Sequence, residues 1–122
     1  MSTRKILVVD DDKDILDILQ YVLEDSGYEV NTLADGQYLF EKIQERKPDL
    51  ILLDVMLGSL DGRELCKKVK SKEDTNKIPV IMISATHHWS DANDQHGAPD
   101  DFLEKPFDIP VLLNSIERQL AA

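Results

Sequence analysis

Apolar residues follow two rhythms along this chain. Lys5-Ile6-Leu7-Val8-Val9 and Asp49-Leu50-Ile51-Leu52-Leu53-Asp54 are uninterrupted apolar runs. Strands read this way when helices cover both faces of a parallel sheet and neither face can stay polar. After the first run, Ile15, Ile18, Leu19, Val22 and Leu23 recur at helical spacing. Asp12 and Asp14 favour the positive start of that helix, and Ser26-Gly27 stops it. Residues 28–33 alternate, which suits a half-covered edge strand. Asp35 can then cap a helix carrying Leu39, Phe40 and Ile43 that must end before Pro48.

Beyond the 49–54 run, Asp61 is placed to cap a helix, with Glu64 at capping-box spacing and Leu65, Cys66 and Val69 facing inward. Lys67, Lys68, Lys70 and Lys72 read as its solvated face. Residues 78–83 make a fourth strand, with Pro79 tolerable at its start, and deliver Ser84 to the carboxyl edge. From Thr86 to Asp101 the pattern weakens. Gly97, Pro99, four aspartates and a single large apolar residue, Trp89, allow a helical turn or two near 90–95 and mobility above the domain average. Asp101-Phe102-Leu103-Glu104 is a short fifth strand, and Asp108 caps a last helix with Pro110 in its first turn and Ile109, Leu112, Leu113, Ile116 and Leu120 inside.

Five strands alternating with helices imply right-handed crossovers and a doubly wound parallel α/β sheet of order 2-1-3-4-5, with a shortened or irregular fourth helix. In that order the first and third strands are neighbours at the topological switch point. Asp10, Asp11 and Asp54 then share the crevice outside their carboxyl ends, where open α/β sheets bind ligands.

The length of 122 residues fits one domain spanning 1–122. An excess of 24 acidic over 14 basic residues argues against direct contact with nucleic acid or an anionic membrane. No apolar run approaches a membrane span and no signal-peptide core follows the start, so a cytoplasmic location is expected. The single Cys66 cannot form an internal disulfide and reads as a small buried hydrophobe.

Charge changes the picture at the carboxyl edge. Two carboxylates ~4 Å apart repel by roughly 4 kcal/mol at an effective dielectric of ~20. Three such pairs rival the whole stability of a domain, so a cation must sit among them. Oxygen-only donors with room for water point to Mg²⁺. Lys105 supplies a second positive charge and Ser84 a hydroxyl donor. A carboxylate nucleophile so surrounded has what in-line phosphoryl transfer needs, and its product is an aspartyl phosphate.

Val9-Asp10-Asp11, Leu53-Asp54, Asp61-Gly62, Ile83-Ser84-Ala85 and 102–107 (Phe-Leu-Glu-Lys-Pro-Phe) occur in this order over essentially the whole chain. In these motifs the chain resembles the receiver domain of two-component response regulators, a flavodoxin-like fold. The resemblance implies that Asp54 accepts a phosphoryl group from the phosphohistidine of a sensor histidine kinase or histidine phosphotransfer protein, and later loses it slowly by self-dephosphorylation. It implies that Asp11 holds Mg²⁺ directly, Asp10 through water, and the Met56 backbone carbonyl as a third protein ligand. Ser84 and Lys105 would contact the phosphoryl oxygens, Lys105-Pro106 would be cis, and Phe102 would occupy the switch position that moves with Ser84. Partners implied are a downstream protein target or an effector domain beyond residue 122, and a phosphorylation-dependent homodimer. Phe102 lacks the usual tyrosine hydroxyl and any hydrogen bond from it. Gly58 stands where the family usually has proline, which implies a looser loop. The polar 86–101 segment departs from the family's fourth helix, which usually forms part of its output and dimerisation face.

Blander and rival readings stand beside these. An aspartate after a strand is more often a cap than a nucleophile, and Asp12 reads as one. His87, His88 and His96 read as solvated loop residues, and Trp89 as a plug. Asp10-Asp11-Asp12 also matches the nucleophile motif of haloacid-dehalogenase-like phosphatases, with Asp10 and Asp12 as the acids. Lys13 and Asp14 do not continue that motif, no cap domain fits the length, and Asp54 would have no role. A non-phosphorylated binding module is disfavoured because no motif residue is missing.

Overall fold

The computed structural model describes residues 3–85 and 98–121. In chain order the elements are β1 (Lys5–Val9), α1 (Lys13–Asp25), β2 (Glu29–Leu33), α2 (Leu39–Arg46), β3 (Leu50–Asp54), β4 (Met56–Leu57), β5 (Leu60–Asp61), α3 (Gly62–Ser71), β6 (Val80–Ser84), β7 (Asp101–Glu104) and α4 (Ile109–Ala121). Five of the strands form one parallel sheet in the order β2-β1-β3-β6-β7. This is the flavodoxin-like order read from the sequence. The numbering shifts only because the loop after β3 folds into its own antiparallel hairpin, β4–β5.

Alternation along the central strands separates two cores. Leu7, Val9, Ile51, Leu53 and Met82 pack beneath α2 and α3. Ile6, Val8, Leu50, Leu52, Ile81 and Ile83 pack beneath α1 and α4. Both faces are covered, which is why β1 after Lys5, and β3 and β6 throughout, carry no polar residue before their carboxyl ends. The edge strands are less covered: β2 buries only Val30 fully, and β7 has Phe102 and Leu103 half-buried on opposite faces.

Local chemistry sets the helix limits. The Asp12 carboxylate caps α1 by accepting from Asp14 N at 2.9 Å and Ile15 N at 3.4 Å, and Gly27 at φ +98° turns the chain out. Leu16, Leu19 and Leu23 are the sheet-facing stripe of α1. Ile18, expected inside, is 57% exposed because it lies off that stripe. Asp35 caps a short 3-10 turn, accepting from Gln37 N at 2.9 Å, and α2 follows it and ends at left-handed Lys47 before Pro48. Asp61 caps α3 through Arg63 N at 2.9 Å, while Glu64 lies 3.9 Å from Lys67.

The lysine face of α3 is only partly solvated. Lys67 and Lys68 are exposed, but Lys70 Nζ is 2.6 Å from the Asp100 carboxylate and donates to Ile78 O at 2.8 Å. Lys72 Nζ lies 4.1 Å from the centroid of the Phe40 ring. The expected turns at 90–95, the shortened fourth helix, Trp89 and the three histidines lie outside the described residues. Among the described residues no helix is long and apolar enough to cross a membrane.

Candidate functional site

The parallel register gathers the polar strand ends. Val9 pairs with Leu53 and Asp54 with Ile83, so Asp10, Asp54 and Ser84 sit on three adjacent strand ends. Ser84 pairs with Glu104, and Ser84 O accepts from Lys105 N at 2.7 Å, fixing where the lysine begins. Asp10 N donates to Leu33 O at 3.1 Å, and Val55 N to Ile83 O at 3.0 Å. Backbone bonds therefore place the acids before any side chain acts.

Asp10, Asp11 and Asp54 each offer a carboxylate oxygen, and these lie within 4.8 Å of one another. Asp10 and Asp54 are 1% and 4% exposed, whereas Asp11 faces solvent. Asp10 accepts from Asp12 N at 2.9 Å through one oxygen and from Lys105 Nζ at 3.0 Å through the other. The same ammonium is 3.4 Å from Asp54. Asp11 accepts from Gly58 N at 3.1 Å. Asp12 is turned away to its helix cap, which leaves the phosphatase-like pairing of Asp10 with Asp12 without a shared site.

Electrostatics match this crowding. Burial, then the Asp10 carboxylate, push Asp54 up to about 6 against the opposing pull of Lys105 and the Met56 N–H. Burial by itself would lower Lys105, but its bonds and proximity to Asp10 and Asp54 outweigh that and raise it. One ammonium pairs with two of the three carboxylates, so the cluster suits a further hard cation held by oxygen ligands, with Asp11 on the open side.

The backbone around the nucleophile candidate is close-packed at Gly62. A Cβ at Gly62 would lie 2.0 Å from the Asp54 carbonyl oxygen, so only glycine lets α3 start this close to β3. The Lys105–Pro106 peptide is cis, as the resemblance implies. Ser84 is buried at the tip of β6, and Phe102 packs half-buried against the core beneath α2 and α3. Cys66 is buried, and burial pushes its thiol up to about 11, in keeping with an inert hydrophobe.

The loop after Asp54, expected to be looser for want of proline at Gly58, folds into a short hairpin. Met56-Leu57 and Leu60-Asp61 pair across a two-residue loop with Gly58 at φ +62°. A glycine first in such a loop is the requirement of a type II′ hairpin turn, a signal present in the sequence and overlooked there. The Gly58 bond to Asp11 was not foreseen, because nothing in the sequence aims a backbone N–H across 47 residues.

Comparison with known proteins agrees with this geometry. The family model for the response regulator receiver domain matches residues 6–117. The chain is 45% identical over 106 residues to the alkaline phosphatase synthesis transcriptional regulatory protein PhoP of Bacillus subtilis, covering 85% of this chain and 43% of that protein. It is 36% identical over 117 residues to the phosphate regulon transcriptional regulatory protein PhoB of Rhizobium meliloti, covering 95% and 52%. The chain thus spans about half the length of these curated relatives. A CheY-like response regulator receiver domain protein of Methanospirillum hungatei superposes with a TM-score of 0.89 at 30% identity, over 98% of this chain and 91% of that one. With the family model matched over residues 6–117 and a relative 36% identical over 95% of the chain, the chain belongs to the response regulator receiver domain family.

Proposed function

We propose that residues 1–122 act as a single receiver domain in which Asp54 is the phosphoryl acceptor. The observation that carries this reading is the buried Asp54 carboxylate, at a central strand tip, 3.4 Å from the Lys105 ammonium and within 4.8 Å of two further acids. An Asp54 oxygen attacks the phosphorus of a partner's phosphohistidine. The P–O bond forms as the P–N bond breaks, and the departing imidazole takes up a proton. Lys105 and Ser84 hold the phosphoryl oxygens.

Asp10, Asp11, Asp54 and the Met56 carbonyl are the residues that would hold Mg²⁺. When bound, that ion neutralises charge on the moving phosphoryl group. Hydrolysis of the aspartyl phosphate by water at the same site returns the unmodified state. Movement of Ser84 toward the phosphoryl group and of Phe102 into the space it leaves alters the protein-binding surface near β7.

The donor is a sensor histidine kinase or a histidine phosphotransfer protein in the cytoplasm. The two curated relatives are transcriptional regulatory proteins about twice as long, which supports output through an effector domain or a downstream protein target, with a phosphorylation-dependent homodimer as the intermediate state. The excess of 24 acidic over 14 basic residues argues against nucleic-acid binding by this domain itself.

Incubation with Mg²⁺ and a small acyl-phosphate donor should give one hydroxylamine-labile phosphoryl adduct in intact-mass spectra, absent from Asp54→Ala. An adduct that persists in Asp54→Ala sinks the assignment, and its transfer to Asp10 would favour the phosphatase-like reading.

A further inference from the structure

We infer that the backbone N–H of Gly58 positions the Asp11 carboxylate and thereby ties the cation site to the β4–β5 hairpin. This rests on the proposed reading of Asp10, Asp11 and Asp54 as a Mg²⁺ site. Of the three acids, Asp10 is fixed by Asp12 N and Lys105, and Asp54 faces Lys105 from a buried strand tip. Asp11 is exposed and sits between β1 and α1, where an aspartate is free to exchange rotamers unless something holds it. Its Oδ2 accepts from Gly58 N at 3.1 Å.

The donor is held by the fold. Gly58 occupies the first central position of the hairpin loop at φ +62°, and that turn points its N–H at Asp11. The arm carrying it is anchored at its base, where Val55 N donates to Ile83 O at 3.0 Å and Gly62 N to Val55 O at 2.7 Å, and by buried Leu57. An ionised carboxylate has about four lone-pair sites, so one amide leaves the other oxygen open to a cation. Proline at this position would remove the donor and could not adopt the positive φ, whereas asparagine keeps the N–H and tolerates that conformation. Groups that orient a metal ligand typically contribute 10–100-fold to metal affinity, and for this exposed bond the lower end, about tenfold, applies.

Two measurements test the arrangement, one of them without metal. In amide NMR spectra of the metal-free protein, Asp11→Ala should move the Gly58 proton upfield and speed its exchange with solvent. A Gly58 amide indifferent to Asp11→Ala overturns the inference. With Mn²⁺ as the probe, read by electron paramagnetic resonance, Gly58→Pro should bind about tenfold more weakly than the unaltered protein, and Gly58→Asn should restore binding to within about threefold. Unchanged Mn²⁺ affinity in Gly58→Pro overturns the positioning role and leaves the metal reading standing. An unaltered protein that binds no Mn²⁺ overturns the metal reading itself, and with it any role for Gly58 toward a ligand.

Discussion

Asp54→Asn keeps the shape of the side chain and an oxygen for the Lys105 ammonium while removing the charge that this site holds at greatest cost. Burial and Asp10 raise the carboxyl from the ordinary 3.8 to about 6. At 1.36 kcal/mol per pK unit that corresponds to about 3 kcal/mol, and relaxation around a charge cluster open on the Asp11 side brings the working figure to about 1–3 kcal/mol. The folded state binds the Asp54 proton more tightly than the unfolded chain does. The group is therefore harmless below about pH 4, lowers stability progressively as the pH rises from about 4 to about 6, and costs a constant amount above that.

The asparagine variant lacks this slope. With 1 kcal/mol worth about 4 °C in a domain of this size, its Tm at pH 7.5 in EDTA should exceed that of the unaltered protein by roughly 4–12 °C, and the gap should close near pH 4. Millimolar Mg²⁺ should narrow the gap at pH 7.5, because a cation that binds the ionised cluster stabilises only the protein that carries it. Thermal unfolding followed by circular dichroism at the two pH values, with and without Mg²⁺, reads all of this. An asparagine variant no more stable than the unaltered protein at pH 7.5 in EDTA would refute the claim that Asp54 is held ionised against its surroundings.

Two further substitutions test the supporting structure. Gly62→Ala puts a Cβ 2.0 Å from a backbone oxygen that no rotamer change can move, and should lower stability by more than about 2 kcal/mol; an unchanged urea midpoint would show that α3 is not pinned against Asp54. Lys70→Met keeps the apolar stem but strips Asp100 and Ile78 O of their ammonium, costing about 1–3 kcal/mol, against less than about 1 kcal/mol for Lys72→Met at its cation–π contact. Equal urea midpoints for the two variants would return Lys70 to the solvated face.

Much of the site was legible because it is written in strand ends. Buried parallel strands admit no polar residue until they stop, so Asp10, Asp54 and Ser84 announce themselves by interrupting runs such as 50–53, and the sheet order follows from alternation of elements. The same logic reads no further than the strand. Lys70 carries the same charge as Lys67 and Lys68, and the positions of Asp100 and Ile78 O beside it distinguish it. Ile18 has the hydrophobicity of its neighbours and fails to bury because α1 presents a narrower stripe to the sheet. Gly58 departs from the proline usual at its place, and its own turn chemistry builds the β4–β5 hairpin.

The acids are held by bonds that do not depend on their charges, and this decides what the site can do with its repulsion. Asp10 N to Leu33 O, Val55 N to Ile83 O and Lys105 N to Ser84 O are backbone bonds continuous with the sheet, and they persist whether the carboxylates are ionised or not. The strand ends cannot drift apart, so relaxation is left to the side chains, chiefly exposed Asp11, and part of the unfavourable charge is retained in the folded state. On the proposed reading of the cluster as a cation site, the raised Asp54 pKa and affinity for a divalent ion are two measures of one quantity. A substitution that relieves the repulsion, Asp54→Asn above all, should gain stability and lose cation affinity together. A variant at Asp10, Asp11 or Asp54 that gained the first and kept the second would show that the repulsion is not what draws the ion.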